Sequence, residues 1–188
     1  MNFSQVPNII TVARLAIIPL LILLLQEHSY PAALVVFVLA GLSDGLDGFI
    51  ARRFHLESHL GGVLDPLADK LLMLSTYVTL TLLGHIDLWL LLVVVSRDFL
   101  LIGGYLVVTS QSGAVKMEAS LFSKANTVMQ IVLVIAILLE QAKLFSVPLL
   151  TEFLIYTVLI TTVTSGAHYY WVFVINKRVE SLSGDTKD

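Results

Sequence analysis

Residues 43–70 read SDGLDGFIARRFHLESHLGGVLDPLADK. Asp44, Asp47, Gly48, Ala51 and Arg52 stand at i, i+3, i+4, i+7 and i+8, the spacing that places residues on one helix face. Gly61, Asp65 and Asp69 stand at i, i+4 and i+8, which defines a second face of the same kind. The alternation of a barrel strand is missing. A short polar segment joins the two faces, so the stretch predicts two antiparallel neighbouring helices with four carboxylates converging between them.

Apolar sequence surrounds this stretch. Of the 188 residues, 57% are hydrophobic and 13% charged, against about 45–50% and about 25% in ordinary soluble domains. A helix that spans a bilayer needs about 20 mostly apolar residues, and six segments qualify: about 6–26, 31–53, 60–84, 86–109, 120–141 and 148–176. Breakers separate them, including EHSYP, GHID, SQSGAVKMEAS and KLFSVP. The expected fold is all-α, a six-transmembrane-helix bundle forming a single domain over 1–178, followed by a polar tail at 179–188. Arg52, Arg53, Lys116, Lys177, Arg178 and Lys187 would lie on one side and Lys143 alone on the other. The positive-inside rule then puts both termini in the cytoplasm. The first apolar run follows no Lys or Arg before Arg14 and precedes no small-x-small site, so it reads as a span rather than a signal peptide. A net charge of −3 gives no basic field for nucleic acid. With no cysteine, thiolate chemistry and cysteine metal sites are excluded.

Arg14, Asp44, Asp47, Asp65, Asp69, Lys70, Arg97, Asp98 and Lys124 all fall inside the expected spans, nearly all in the cytoplasmic halves. Each ionisable group in lipid costs about 2.5–3.5 kcal/mol even on gentle scales. Internal salt bridging would account for the charges but not for the spacing of the aspartates. Four crowded carboxylates repel and tend to take up protons, a tension that divalent cations relieve. Oxygen ligands without cysteine or histidine suit Mg²⁺, Mn²⁺ or Ca²⁺. A pair of such cations can clamp phosphoryl oxygens. Gly48, Ala51 and Gly61 serve close helix packing equally well, but beside metal ligands they also make room for a nucleotide or phosphate, and Arg52 adds a fork suited to phosphate.

These positions together match D-x2-D-G-x2-A-R-x8-G-x3-D-x3-D with no departure. Eight specified residues would match a random window about once in 10¹⁰ at ordinary usage. The chain therefore resembles the CDP-alcohol phosphatidyltransferases, and PNIITVARL at 7–15 and the six-helix layout are similar to that family as well. The resemblance implies transfer of a phosphatidyl group from CDP-diacylglycerol to an alcohol, with release of CMP. It implies two Mg²⁺ or Mn²⁺ held by Asp44, Asp47, Asp65 and Asp69. Asp69 matches the general base, Asp65 takes part in catalysis, and Asp44, Gly48, Ala51, Arg52 and Gly61 match the nucleotide contacts. It also implies a homodimer among membrane lipids; the expected location is a bacterial inner membrane, and the charge distribution above turns the active site toward the cytoplasm.

The acceptor is read elsewhere. Arg97 in VVSRDFLLIGG, Lys124 and Asn126 in LFSKANTVMQ, and Arg14 are the candidate acceptor-binding residues. Relatives that use glycerol 3-phosphate typically carry Arg-Glu and Lys-x-Lys-Thr where this chain has Arg97-Asp98 and Lys124-x-Asn126-Thr127. A phosphate monoester carries close to two negative charges, a diester one. Asn126 in place of a cation thus favours phosphatidylglycerol as acceptor and cardiolipin as product. Together with TTVTSGAHYY at 161–170, this resembles the eukaryotic-type cardiolipin synthase branch. Glycerol 3-phosphate, giving phosphatidylglycerophosphate, is the alternative.

Other residues carry weaker readings. Arg14 and Arg97 could equally pair with Asp98 and its neighbours. Lys70 is expected to pair or snorkel. His168, Tyr169 and Tyr170 fit packing or an aromatic anchor. His28, His55, His59 and His85 form no evident metal set, and Asn8 and Thr11 fit either a helix cap or a nucleotide contact. A cation or proton transporter would also keep intramembrane carboxylates, but its site is usually near the midplane with repeats, neither of which the sequence has. An aspartate-rich prenyltransferase would need a second acidic box.

Overall fold

The computed structural model describes residues 6–54, 61–112, 121–145 and 148–184, with side chains described over 14–43, 68–101, 103, 123–145, 148–169 and 171. The described residues form six helices and no strand: α1 (Val6–Gln26), α2 (Tyr30–Phe54), α3 (Gly61–Leu82), α4 (Leu88–Ser112), α5 (Leu121–Gln141) and α6 (Pro148–Gly184). They follow the six apolar segments of the sequence to within a few residues. The largest difference is at α6, which continues past 176 into the polar tail. Its far end has no Pro and a single Gly at its last position, so nothing in the chain breaks the helix sooner.

Three helices end by the same device. His28 donates its backbone N–H to Leu25 and Ser29 to Leu24; Gly84 donates to Thr81 and His85 to Leu80; Lys143 donates to Glu140 and Leu144 to Leu139. Each pair is the double bond pattern of a Schellman cap, which needs a left-handed residue just past the helix. Gly84 takes that position with φ 78°, while His28 and Lys143 take it with φ 55° and 57°.

The chain forms two compact units, Met1–Asp87 with Val134–Thr151, and Leu88–Leu133 with Glu152–Asp188. In the first, α1 packs along both α2 and α3. The buried residues repeat at helical intervals: Leu21 and Leu25 on α1, Ala33, Phe37 and Ala40 on α2, and Ala68, Leu72, Thr76 and Leu80 on α3. Thr76 and Thr79 return their hydroxyl protons to the carbonyls of Leu72 and Ser75, so these buried threonines leave no unpaired donor. At one end of this unit Tyr30 ties two loops together: its hydroxyl lies 2.8 Å from His28 Nδ1 and 2.8 Å from His85 Nε2. The second unit has a polar middle. On α6 the buried stripe runs Leu154, Val158, Thr162, Ser165, changing from apolar to hydroxyl side chains along one face.

Within the described residues, Ser123–Gln141 and Pro148–Tyr169 are long and apolar enough to cross a membrane; Arg14–Gln26 and Tyr30–Ser43 are apolar but shorter. Many large apolar side chains face outward, among them Leu82, Phe99, Leu100, Leu149, Phe153 and Trp171.

Candidate functional site

The acidic positions fall at the ends of α2 and α3 away from the Tyr30 knot. From Tyr30 to Asp44 is 14 helical residues, about 21 Å at 1.5 Å per residue. Both helices run unbroken through the motif: Asp44, Asp47, Gly48, Ala51 and Arg52 lie on α2, and Gly61, Asp65 and Asp69 on α3. The helical backbone therefore provides the i, i+3 and i, i+4 registers that the sequence pattern requires. The side chains of Asp44, Asp47, Gly48, Ala51, Arg52, Gly61 and Asp65 lie outside the described residues, as do those of Asn8, Thr11 and Tyr170 and the whole of His55 and His59. Asp69 is described. It is half-buried and has an interaction partner, as has Lys70 beside it. Arg14, on α1 of the same unit, is 2% exposed and also partnered.

Of the other residues singled out for the acceptor, Arg97, Lys124 and Asn126 fall in the second unit, where side chains of α4, α5 and α6 meet on Arg97. Arg97 of α4 is 4% exposed. One guanidinium nitrogen donates to Asp98 Oδ1 at 2.7 Å; the other donates to Ser123 Oγ of α5 at 2.7 Å and Ser165 Oγ of α6 at 2.9 Å. The arginine is thus neutralised by its neighbour and locked by two serines. It pairs with Asp98, one of the two roles the sequence left open, and keeps Nε buried with no partner among the described residues.

Asn126 is fully buried on α5. Its Oδ1 accepts from Thr161 at 2.9 Å and from Thr162 at 2.8 Å, both on α6. Ser123 and Asn126 are one turn apart on α5, and Ser165 and Thr162 on α6, so the two polar levels are stacked about 4.5 Å apart. Lys124, by contrast, is exposed, as is His168. Sequence reading missed Ser123, Thr161, Thr162 and Ser165 as individuals. The available signal was hydroxyl residues at helical spacing on an otherwise apolar helix, where a polar side chain needs a stated partner.

A donor set made only of carboxylate oxygens, on two helices in a chain without cysteine, fits a hard divalent cation. Among the described residues no group of three metal-ligating side chains occurs, three of the four aspartates being outside them.

Comparison with known proteins supplies the identity of this arrangement. Rat cardiolipin synthase (CMP-forming) is 33% identical over 185 residues, which cover 90% of this chain and 61% of the relative. The human protein of that name is 34% identical, with 90% and 62% covered. The chain thus spans about three fifths of the length of these two relatives. The CDP-diacylglycerol–glycerol-3-phosphate 3-phosphatidyltransferase of Bacillus subtilis is 31% identical over 183 residues, covering 88% of this chain and 93% of the relative. The family model described as CDP-alcohol phosphatidyltransferase matches residues 4–167, which include every motif position on α2 and α3, and the chain belongs to that family.

Proposed function

We propose that the protein transfers the phosphatidyl group of CDP-diacylglycerol to the free hydroxyl of phosphatidylglycerol, forming cardiolipin and releasing CMP. The observation that carries this reading is the uninterrupted eight-position motif on two continuous helices, in a chain similar over 90% of its length to proteins named cardiolipin synthase (CMP-forming). Asp44, Asp47, Asp65 and Asp69 would hold two Mg²⁺ or Mn²⁺. When bound, such ions neutralise the pyrophosphate and acidify a nearby hydroxyl. Gly48, Ala51 and Gly61 leave space for the nucleotide, and Arg52 contacts its phosphate. Asp69 takes the proton of the acceptor hydroxyl as that oxygen bonds to the lipid-side phosphorus. The phosphorus–oxygen bond to CMP breaks, and the electron pair leaves with CMP. Arg14, Arg97, Lys124 and Asn126 bind the acceptor's phosphate, with exposed Lys124 on its approach.

Glycerol 3-phosphate is the second reading, favoured by the B. subtilis relative, whose name carries that acceptor and of which this chain covers 93%. The pairing of Arg97 with Asp98 supports the first. It leaves the buried Arg97 and Asn126 together with little net positive charge, a poor match for a dianion and a better one for a monoanion.

The same proposal takes all six helices as spans in one domain over 1–178, with both termini and the active site cytoplasmic in a bacterial inner membrane and the protein a homodimer. The outward-facing leucines and phenylalanines of α3, α4 and α6 support burial in lipid. The test is an acceptor panel. Purified protein with CDP-diacylglycerol and Mg²⁺ or Mn²⁺ is expected to release CMP on addition of phosphatidylglycerol and to stop when the metal is chelated. Product from glycerol 3-phosphate alone would move the assignment to the second acceptor, and ion flux without CMP release would end the enzyme reading.

A further inference from the structure

Threonines in a helix normally return their hydroxyl proton to a carbonyl one turn back. On α6, Thr157 bonds the carbonyl of Phe153, Thr161 that of Thr157, and Thr164 that of Ile160. Thr162 departs from this pattern. It is 1% exposed, and its one hydrogen bond crosses to Asn126 Oδ1 at 2.8 Å. That bond fixes the orientation of the carboxamide. Thr162 has a proton to place, and Oδ1 is the acceptor that receives it; turning the amide over would set an NH₂ against that hydroxyl and leave the proton with nowhere to go. Asn126 Nδ2 is therefore turned away from the threonines, buried, with no partner among the described residues.

An amide donor left unmet in a fully buried site has given up its water without compensation, so its retention calls for a ligand that accepts. Arg97 Nε, buried and equally without a partner among the described residues, is held on the neighbouring level by Ser123 and Ser165. Both groups are N–H donors. The full charge on this pair of levels is Arg97, and Asp98 balances it. Donors with almost no net charge suit a singly charged phosphodiester.

We infer that Thr162 is a specificity-determining positioning residue: by holding the Asn126 carboxamide oxygen it presents Nδ2, alongside Arg97 Nε, as a neutral donor to the phosphodiester of the acceptor lipid. This rests on the acceptor assignment above. Thr161 assists, but its single proton is shared with the carbonyls of Thr157 and Val158.

The test is steady-state kinetics of CMP release on purified wild-type protein, T162V, T162S, N126A and N126A/T162V, varying phosphatidylglycerol and CDP-diacylglycerol separately. Losing one aligned donor to a charged oxygen is expected to raise KM for phosphatidylglycerol in T162V about tenfold or more, while KM for CDP-diacylglycerol stays within twofold. T162S, which keeps the hydroxyl, restores the wild-type value. The double variant is no worse than N126A, because Thr162 acts through Asn126. A T162V whose KM for phosphatidylglycerol stays within twofold of wild type overturns the inference, as does a double variant showing both losses in full. Should T162V fail to fold, the wild-type protein provides the readout. The Asn126 side-chain NH₂ resonance, identified by its loss in N126A, moves when phosphatidylglycerol is added; a resonance that stays still at saturating lipid overturns the inference. A wild-type protein that releases no CMP with phosphatidylglycerol but does so with glycerol 3-phosphate refutes the acceptor assignment, and the inference with it. A wild-type protein active with phosphatidylglycerol leaves the variants to decide on Thr162 alone.

Discussion

Asp69 is the one motif carboxylate whose side-chain environment is described, and it is half-buried with a partner. A base that also touches a metal is weakened by it, yet the same field acidifies the hydroxyl it must deprotonate. A modest carboxylate therefore suffices, and the amide in Asp69→Asn does not: it fills the same volume but cannot take the proton. D69N is expected to lower kcat by about 10²–10⁴-fold, the usual size of a general-base contribution, with the helix content and melting behaviour of the wild type. Single-turnover CMP release alongside circular dichroism checks it, and wild-type turnover in D69N would remove Asp69 from the chemistry. Arg97 shows the other side of the same logic. From sequence it was either a phosphate fork or an ion-pair member, and adjacency to Asp98 could not decide because consecutive helical residues point apart. The guanidinium is long enough to reach back to Asp98 and still engage α5 and α6.

At the scale of elements, the ends of the helices carry more information than their middles. Lys143 closes α5 in the left-handed region, which costs an L-residue roughly 1–2 kcal/mol. It is exposed, so little else holds it there. Lys143→Gly is expected to stabilise the protein by about 0.5–1 kcal/mol, less the added freedom of glycine in the unfolded chain, seen as a higher melting temperature in detergent. His28 has the same backbone conformation, but its ring bonds Tyr30, so the glycine there forfeits a contact. The Tyr30 knot also makes stability depend on pH. Burial, and then the proximity of His28, hold the His85 imidazole below its ordinary value of 6.5. The unfolded chain then binds the proton first. This contribution is complete above about pH 6.5 and is lost as pH falls from there through the lower folded-state value. His85→Gln is expected to flatten that part of the profile; a wild-type melting temperature that does not fall between pH 7.5 and 5.5 would count against it. The helices themselves were legible because six apolar runs had Gly, Pro and charged breakers between them. The caps were legible only at Gly84, since nothing in the letters of His28 or Lys143 announces a positive φ. The helical placement of the motif aspartates was legible because their i, i+3 and i, i+4 spacing needs no tertiary information. The Asn126–Thr162 pairing was not, because it depends on the antiparallel register of α5 against α6, with 35 residues between the partners in sequence.

For the whole molecule, the question is which helices lie in lipid. By length and composition α5 and α6 qualify within their described portions. On α2 and α3 the motif sets ionisable groups into otherwise apolar helices, and such groups in a membrane helix are tolerated where they serve a site. On this argument polarity in α2 and α3 is a mark of function and does not count against their spanning. The chain contains no cysteine, so single introduced cysteines report sidedness against a silent background. Six spans predict that Ser58→Cys, in the α2–α3 connection, and Ser112→Cys, at the last residue of α4, react with a membrane-impermeant maleimide in inverted vesicles and not in intact cells. Ser29→Cys and Leu144→Cys, beside the caps of α1 and α5, are expected to show the reverse. The caps themselves favour this outcome, because a Schellman turn pairs the last carbonyls of its helix and lets the chain reverse direction within a few residues, as a hairpin of spans requires. If Ser29→Cys and Ser58→Cys were labelled from the same side, α2 would not cross, and the aspartates of its C-terminal half would have to be placed at the membrane surface instead.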